Sequence, residues 1–135
     1  MLEKYYVQRI KDKDYVIFIK VGNFYELFEK DALIINKLLN YKIKRFSKTF
    51  KSGFPTSKIN DVIKIFEAER LNYVVIDNNE IARKSFKDNA YCKFNFDIDR
   101  IMLNYLKIDK ITSYLNDNVL NGNIIGILEE MEKLL

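Results

Sequence analysis

The chain has 135 residues, 48% of them apolar and 14% aromatic, with a net charge of +4, no histidine and one cysteine. That length is one domain's worth, and the missing His with a lone Cys92 excludes a disulfide framework, a zinc cage and Ser-His-Asp or Cys-His catalysis within it. No apolar run nears the roughly 20 residues of a membrane helix, and Met1-Leu2-Glu3-Lys4 lacks a signal-peptide layout, so a cytoplasmic protein without a membrane partner is expected.

In chain order, Leu2 to Ile10 reads as a first helix, followed by the polar break Lys11-Asp12-Lys13-Asp14. Residues 15–21 are β-branched and aromatic, the mark of a buried strand. Gly22 supplies a tight turn, and Asn23 with Glu26 three residues later resembles a capping box. A helix is therefore predicted from Asn23 to Leu39, closed by Asn40 as a left-handed terminator. Tyr41 to Phe46 alternates apolar and basic residues as a half-exposed strand does, and Ser47 to Lys51 is a polar turn. A short extended piece over 50–55 ends at Pro55, the only proline. Ser57 can cap a helix over 58–70 with Ile59, Val62, Ile63 and Phe66 on one side, and Leu71 to Ile76 is a second buried strand.

Beyond residue 77, the segments 81–86 and 91–96 are expected to pair as a hairpin. Apolar spacing then suggests three helices, the first from Ile98, the second around Ile111 to Leu115 and the last from Ile124, with Asn121-Gly122-Asn123 as a break. The fold class is α/β, a small mixed β-sheet flanked by helices with a helical C-terminal extension. The domains are expected at 1–96 and 97–135, the second covering the sheet or serving as a docking surface for a protein partner or a homodimer.

Charge is uneven along the chain. Residues 1–76 carry 15 Lys/Arg against 9 Asp/Glu, whereas residues 77–135 carry 8 against 10. Lys42, Lys44, Arg45, Lys48, Lys51 and Lys58 fall in residues 41–58 without one acid, a footprint suited either to phosphates or to a solvated surface. For an enzyme, the acids Asp12, Asp14, Asp61, Glu67 and Glu69 are the candidates, and Asp77 after a buried strand with Glu80 three residues on is the one suggestive placement; that pattern is short and commonplace, so no metal, cofactor or catalytic residue is expected.

Two motifs carry a resemblance. Val21-Gly22-Asn23-Phe24-Tyr25-Glu26-Leu27-Phe28 is similar to the Gly-Asp-Phe-Tyr-Glu-Met/Leu-Phe signature of the N-terminal, mismatch-recognition domain of the MutS family. Gly53-Phe54-Pro55, followed by a helix and Tyr73-Val74-Val75-Ile76, matches its second signature, and Lys44-Arg45 matches the family's Thr-Lys-Arg. The resemblance covers 1–77. It departs at Asn23, where the family has Asp, at Thr56-Ser57-Lys58 for Tyr-His-Ala, and at Asp77-Asn78 for Glu-Gln. These 135 residues leave no room for the family's further domains and hold no Gly-x-x-x-x-Gly-Lys-Ser/Thr phosphate loop.

The resemblance implies a non-catalytic module of mismatch repair that binds double-stranded DNA, mispaired duplex above all. Phe24 would stack on a displaced base and Glu26 would contact its edge, with Lys20, Lys42, Lys44, Arg45, Lys48 and Lys51 along the backbone and Gly22, Gly53 and Pro55 as structural turns. From spacing alone, Phe24 can equally face the core and Glu26 can be only a capping acid. The alternative function is a protein-interaction module on the same fold that modulates a repair or defence complex without sensing bases.

Overall fold

The computed structural model describes residues 2–135, which form two compact units, one up to Ile98 and one from Asp99 to Leu135. Helix α1 (Leu2–Lys11) leads into the hairpin β1 (Val16–Val21) and β2 (Phe24–Phe28), followed by helix α2 (Lys30–Leu39). A second hairpin, β3 (Lys44–Phe46) and β4 (Thr49–Pro55), precedes helix α3 (Ile59–Ala68). A third, β5 (Tyr73–Asp77) and β6 (Asn79–Lys84), completes one six-stranded sheet of order β3-β4-β2-β1-β5-β6. Only β1 and β5 run parallel, so the sheet is mixed and the α/β class read from the sequence holds.

β1 sits inside the sheet and is covered on both faces, which is why its run Val-Ile-Phe-Ile is continuously apolar rather than alternating. On one face, Tyr5 of α1 packs with Ile17, Ile19, Phe28 and Val74. On the other, Phe18 meets Phe66 of α3 at 5.2 Å between ring centroids and Phe54 of β4 at 5.9 Å. Burying each such side chain contributes about 1.5–3 kcal/mol. Gly53 of β4 lies close against the β2 backbone: a Cβ there would lie 2.8 Å from the carbonyl oxygen of Tyr25. Gly53→Ala should therefore force β4 away from β2 and cost about 1–3 kcal/mol, read as a lowered urea midpoint at unchanged slope. An unshifted midpoint would show that the contact relaxes freely.

The elements around α1 converge on a buried carboxylate. Asp31 of α2 is fully enclosed; Ile17 N–H donates to its Oδ2 at 2.9 Å and Tyr91 Oη–H to its Oδ1 at 2.7 Å, while Arg9 of α1 pairs with Oδ2. The same guanidinium donates to the carbonyl oxygens of Asp12 and Lys13 at 3.0 Å and Tyr15 at 2.7 Å, so it also satisfies the backbone after α1. Burial pushes the Asp31 carboxyl up to about 6, against the opposing pull of Arg9 and its hydrogen bonds. Burial, then the charge of Asp31, raises the Tyr5 and Tyr91 phenols well above their usual range.

These phenols keep their protons in the folded state past the pH near 10 at which the unfolded chain releases them. Their stabilisation is complete below that pH and lost as pH rises. Stability from urea titrations should fall above pH 10 with a slope approaching about 3 kcal/mol per pH unit for the pair. A flat profile to pH 11.5 would contradict their burial.

Several expectations are corrected. Residues 24–28 are a strand and not the start of a helix; helix α2 begins only at Lys30, and Asn23 is a turn residue rather than a cap. The cause is the two-residue Gly22-Asn23 loop, in which Gly22 alone has positive φ (61°), joining Val21 directly across from Phe24. The helix does end at Leu39 with Asn40 left-handed, its N–H donating to Asn36 O. β3 is shorter than the 41–46 read for it, and Ser57 lies in a 3-10 turn (Thr56–Lys58) before α3 instead of capping it. The hairpin expected between 81–86 and 91–96 does not form. β6 folds back on β5 through Asn78 (φ 60°), and Tyr91–Lys93 is a 3-10 turn anchored by the Tyr91 bond to Asp31.

The second unit holds helix α4 (Ile98–Asp117) from its second residue onward and α5 (Ile124–Glu132), so the two helices expected within 98–117 are one. α4 closes at Asn118, whose N–H bonds to Tyr114 O, and Ile124 at the start of α5 is buried. Leu103, Leu106, Ile111, Tyr114, Ile125 and Leu128 are exposed on these helices.

Candidate nucleic-acid interface

Strand alternation decides what β2 presents. Phe24, Glu26 and Phe28 share one face of the sheet, and Tyr25 and Leu27 are buried on the other. Phe28 is enclosed beneath Tyr5, whereas Phe24, at the turn end of the strand, is 51% exposed. The core reading of Phe24 is thereby set aside, and so is the capping role of Glu26, since no helix begins there.

The neighbouring strand builds a groove around this pair. Across β2, Phe24 faces Pro55, Glu26 faces Gly53 and Phe28 faces Lys51; across β3, Lys44 faces Lys51. The result is a groove of about 250 Å³ lined by Phe24, Glu26, Lys42, Lys44, Lys51, Ser52 and Gly53. Gly53 has no side chain to fill it. Lys51 Nζ reaches Glu26 Oε2 at 2.6 Å and stands 4.3 Å from the Phe46 ring centroid. Ser52 Oγ–H donates to Lys42 O at 2.8 Å, tying the stretch before β3 to the groove wall.

Not every residue singled out from the sequence joins this groove. Lys20 pairs with Tyr25 in register, which places it on the opposite face, where it reaches Asp77 Oδ2 at 3.3 Å. Arg45 pairs with Phe50 and shares that opposite side of its hairpin. Lys48 occupies the β3–β4 turn next to Ser47 (φ 54°). Gly22 makes the β1–β2 turn, and Pro55 closes β4 beside Phe24. The glutamate–lysine pairing was not read from the sequence, although residues 26 and 51 become diagonal neighbours once β2 and β4 are aligned. No group of three or more His, Cys, Asp or Glu side chains among the described residues converges as a metal site, and no described helix is long and apolar enough to cross a membrane.

A family model described as MutS domain I matches residues 1–104. The chain belongs to this family. Among its relatives, the DNA mismatch repair protein MutS of Thermotoga petrophila is 29% identical over 87 residues, which is 64% of this chain and 11% of that protein. The MutS of Borreliella afzelii is 42% identical over 60 residues, 43% of this chain and 7% of that protein. That of Borrelia turicatae is 36% identical over 64 residues, 47% of this chain and 7% of its own length. The chain thus matches about a tenth of each of these relatives or less. The MutS domain I match contains the entire sheet and the groove, so the Phe-x-Glu pair and the lysines that flank it lie inside the shared region.

Proposed function

We propose that this chain is a non-catalytic DNA-binding module that favours mispaired or distorted duplex. The observation that carries this reading is the exposed Phe24 ring beside Glu26 at the mouth of a lysine-lined groove in a MutS domain I fold. An aromatic that enters a base stack replaces the stacking it disrupts: base–aromatic stacking is worth about 1–3 kcal/mol, and unstacking a duplex step costs a few. The two terms nearly cancel at a weakened step and not at a sound one, so discrimination follows how easily the DNA deforms. Glu26, with Lys51 on Oε2, offers Oε1 as acceptor to a base N–H. Lys42 and Lys44 hold the phosphate backbone and set register without reading sequence, and Lys48 extends that contact from the turn. Lys20 and Arg45, on the other face, meet the same duplex only if it wraps the sheet edge.

Fluorescence anisotropy tests this with a perfect duplex, the same duplex carrying a G·T pair or one unpaired base, and single-stranded DNA. Tighter binding to the distorted duplex is expected. Equal binding to all duplexes would leave a basic non-specific module. No binding at low salt would favour a protein partner or a second copy of the chain, with the exposed apolar residues of α4 and α5 as the contact. Replacing Lys42 and Lys44 together by alanine should weaken every duplex alike and reduce the slope of log affinity against log salt by about 1.8. An unchanged slope would remove both lysines from the backbone contact.

A further inference from the structure

Three lysines line the groove, but they are not in the same state. Lys42 and Lys44 are exposed and bonded to no carboxylate among the described residues, whereas Lys51 lies 2.6 Å from Glu26 Oε2. The side chains of that pair are 23% and 15% exposed, and the ammonium also stands over the Phe46 ring. A carboxylate in a phosphate-binding groove is repelled by what the groove binds, unless a cation is held against it.

We infer that Lys51 is a positioning residue for Glu26, and that it makes no contact with the DNA backbone. Its charge neutralises the carboxylate inside the groove, and its bond to Oε2 fixes the plane of the carboxyl group, so that Oε1 is aimed by the protein and not by the ligand. The assignment rests on the DNA-binding reading and deepens it. It divides the groove into two working parts: Lys42 and Lys44 act on phosphates, while Lys51 acts only through Glu26. Phe46 supports the arrangement by holding the Lys51 ammonium over its ring, which lies on the same side of the β3–β4 hairpin.

Lys51→Met keeps an apolar stem over Phe46 and removes the charge. Measured by anisotropy across a salt series, this variant should bind every duplex about tenfold or more weakly, because Glu26 then faces phosphates unpaired. That loss should shrink as salt rises, because the repulsion is screened, and the slope of log affinity against log salt should return to the value of the unaltered chain once Glu26 is replaced as well. Adding Glu26→Gln should restore perfect-duplex affinity to within about threefold, and Lys51→Arg should retain both affinity and mismatch preference. Affinity and slope that fall by the same amounts in Lys51→Met whether residue 26 is Glu or Gln would make Lys51 a phosphate contact and overturn this assignment alone. No duplex binding by the unaltered chain at low salt would overturn the DNA-binding reading and this assignment with it.

Discussion

Asp31→Ala should lower folding stability by about 3–5 kcal/mol, the cost typical of removing one partner of a buried ion pair. The substitution strips Arg9 of its carboxylate and leaves the Ile17 N–H and the Tyr91 hydroxyl without their acceptor. Four pieces of chain meet there: α1 through Arg9, β1 through Ile17, α2 through Asp31 itself and the turn at Tyr91. The carboxyl is nevertheless expensive to bury, as its position near 6 indicates. Because the folded state holds that proton more tightly than the unfolded chain, the contribution of Asp31 declines as pH rises from about 4 to about 6. Replacing both partners by apolar residues, Asp31→Leu with Arg9→Met, should therefore cost less than the sum of the two single changes. Urea titrations of the three variants measure this coupling. A loss below about 1 kcal/mol in Asp31→Ala would show that the cluster contributes little to holding these elements together.

Phe24→Ala carries the largest effect expected on function. Loss of one base–aromatic stack, about 1–3 kcal/mol, should reduce preference for a mispaired duplex by about tenfold or more while leaving perfect-duplex affinity close to that of the unaltered chain. Since the ring is half exposed and covers little of the core, stability should change by no more than about 0.5 kcal/mol, which separates a binding defect from a folding one. Competition anisotropy with matched and G·T duplexes reads the ratio directly. Discrimination that survives the substitution would place base sensing elsewhere.

The sequence made the core and the two buried strands legible because Val16–Ile19 of β1 and Tyr73–Ile76 of β5 are apolar without interruption, and a strand buried on both faces needs no other mark. It misled at residues 23–28, where Asn23 and Glu26 satisfy a capping-box spacing. The competing signal was present: Gly-Asn between two apolar runs is a hairpin loop, and Tyr25-Glu26-Leu27 alternates apolar, polar, apolar. Local capping lost to cross-strand bonding with β1 and β4, a tertiary effect that spacing alone does not weigh. The same holds for Tyr91. Its aromatic neighbours read as a strand, but its hydroxyl is claimed by a carboxylate 60 residues away. Which lysines share a face was equally hidden, since a cluster of cations in sequence separates to opposite sides once β3 and β4 alternate: Lys44 and Lys51 on one, Arg45 on the other.

The two-residue loop at Gly22-Asn23 has a mechanical consequence. Phe24 is the first residue after it, paired to Val21 on one flank and to Pro55 on the other, so the ring is mounted on three strands clamped side by side. Such a mount has little compliance. On the proposed reading, nearly all the give in an encounter must come from the nucleic acid, and the protein behaves as a rigid probe of duplex stiffness. Among perfectly paired duplexes, then, affinity should rank with the flexibility of the base step offered to the ring, pyrimidine–purine steps above stiff A-tracts.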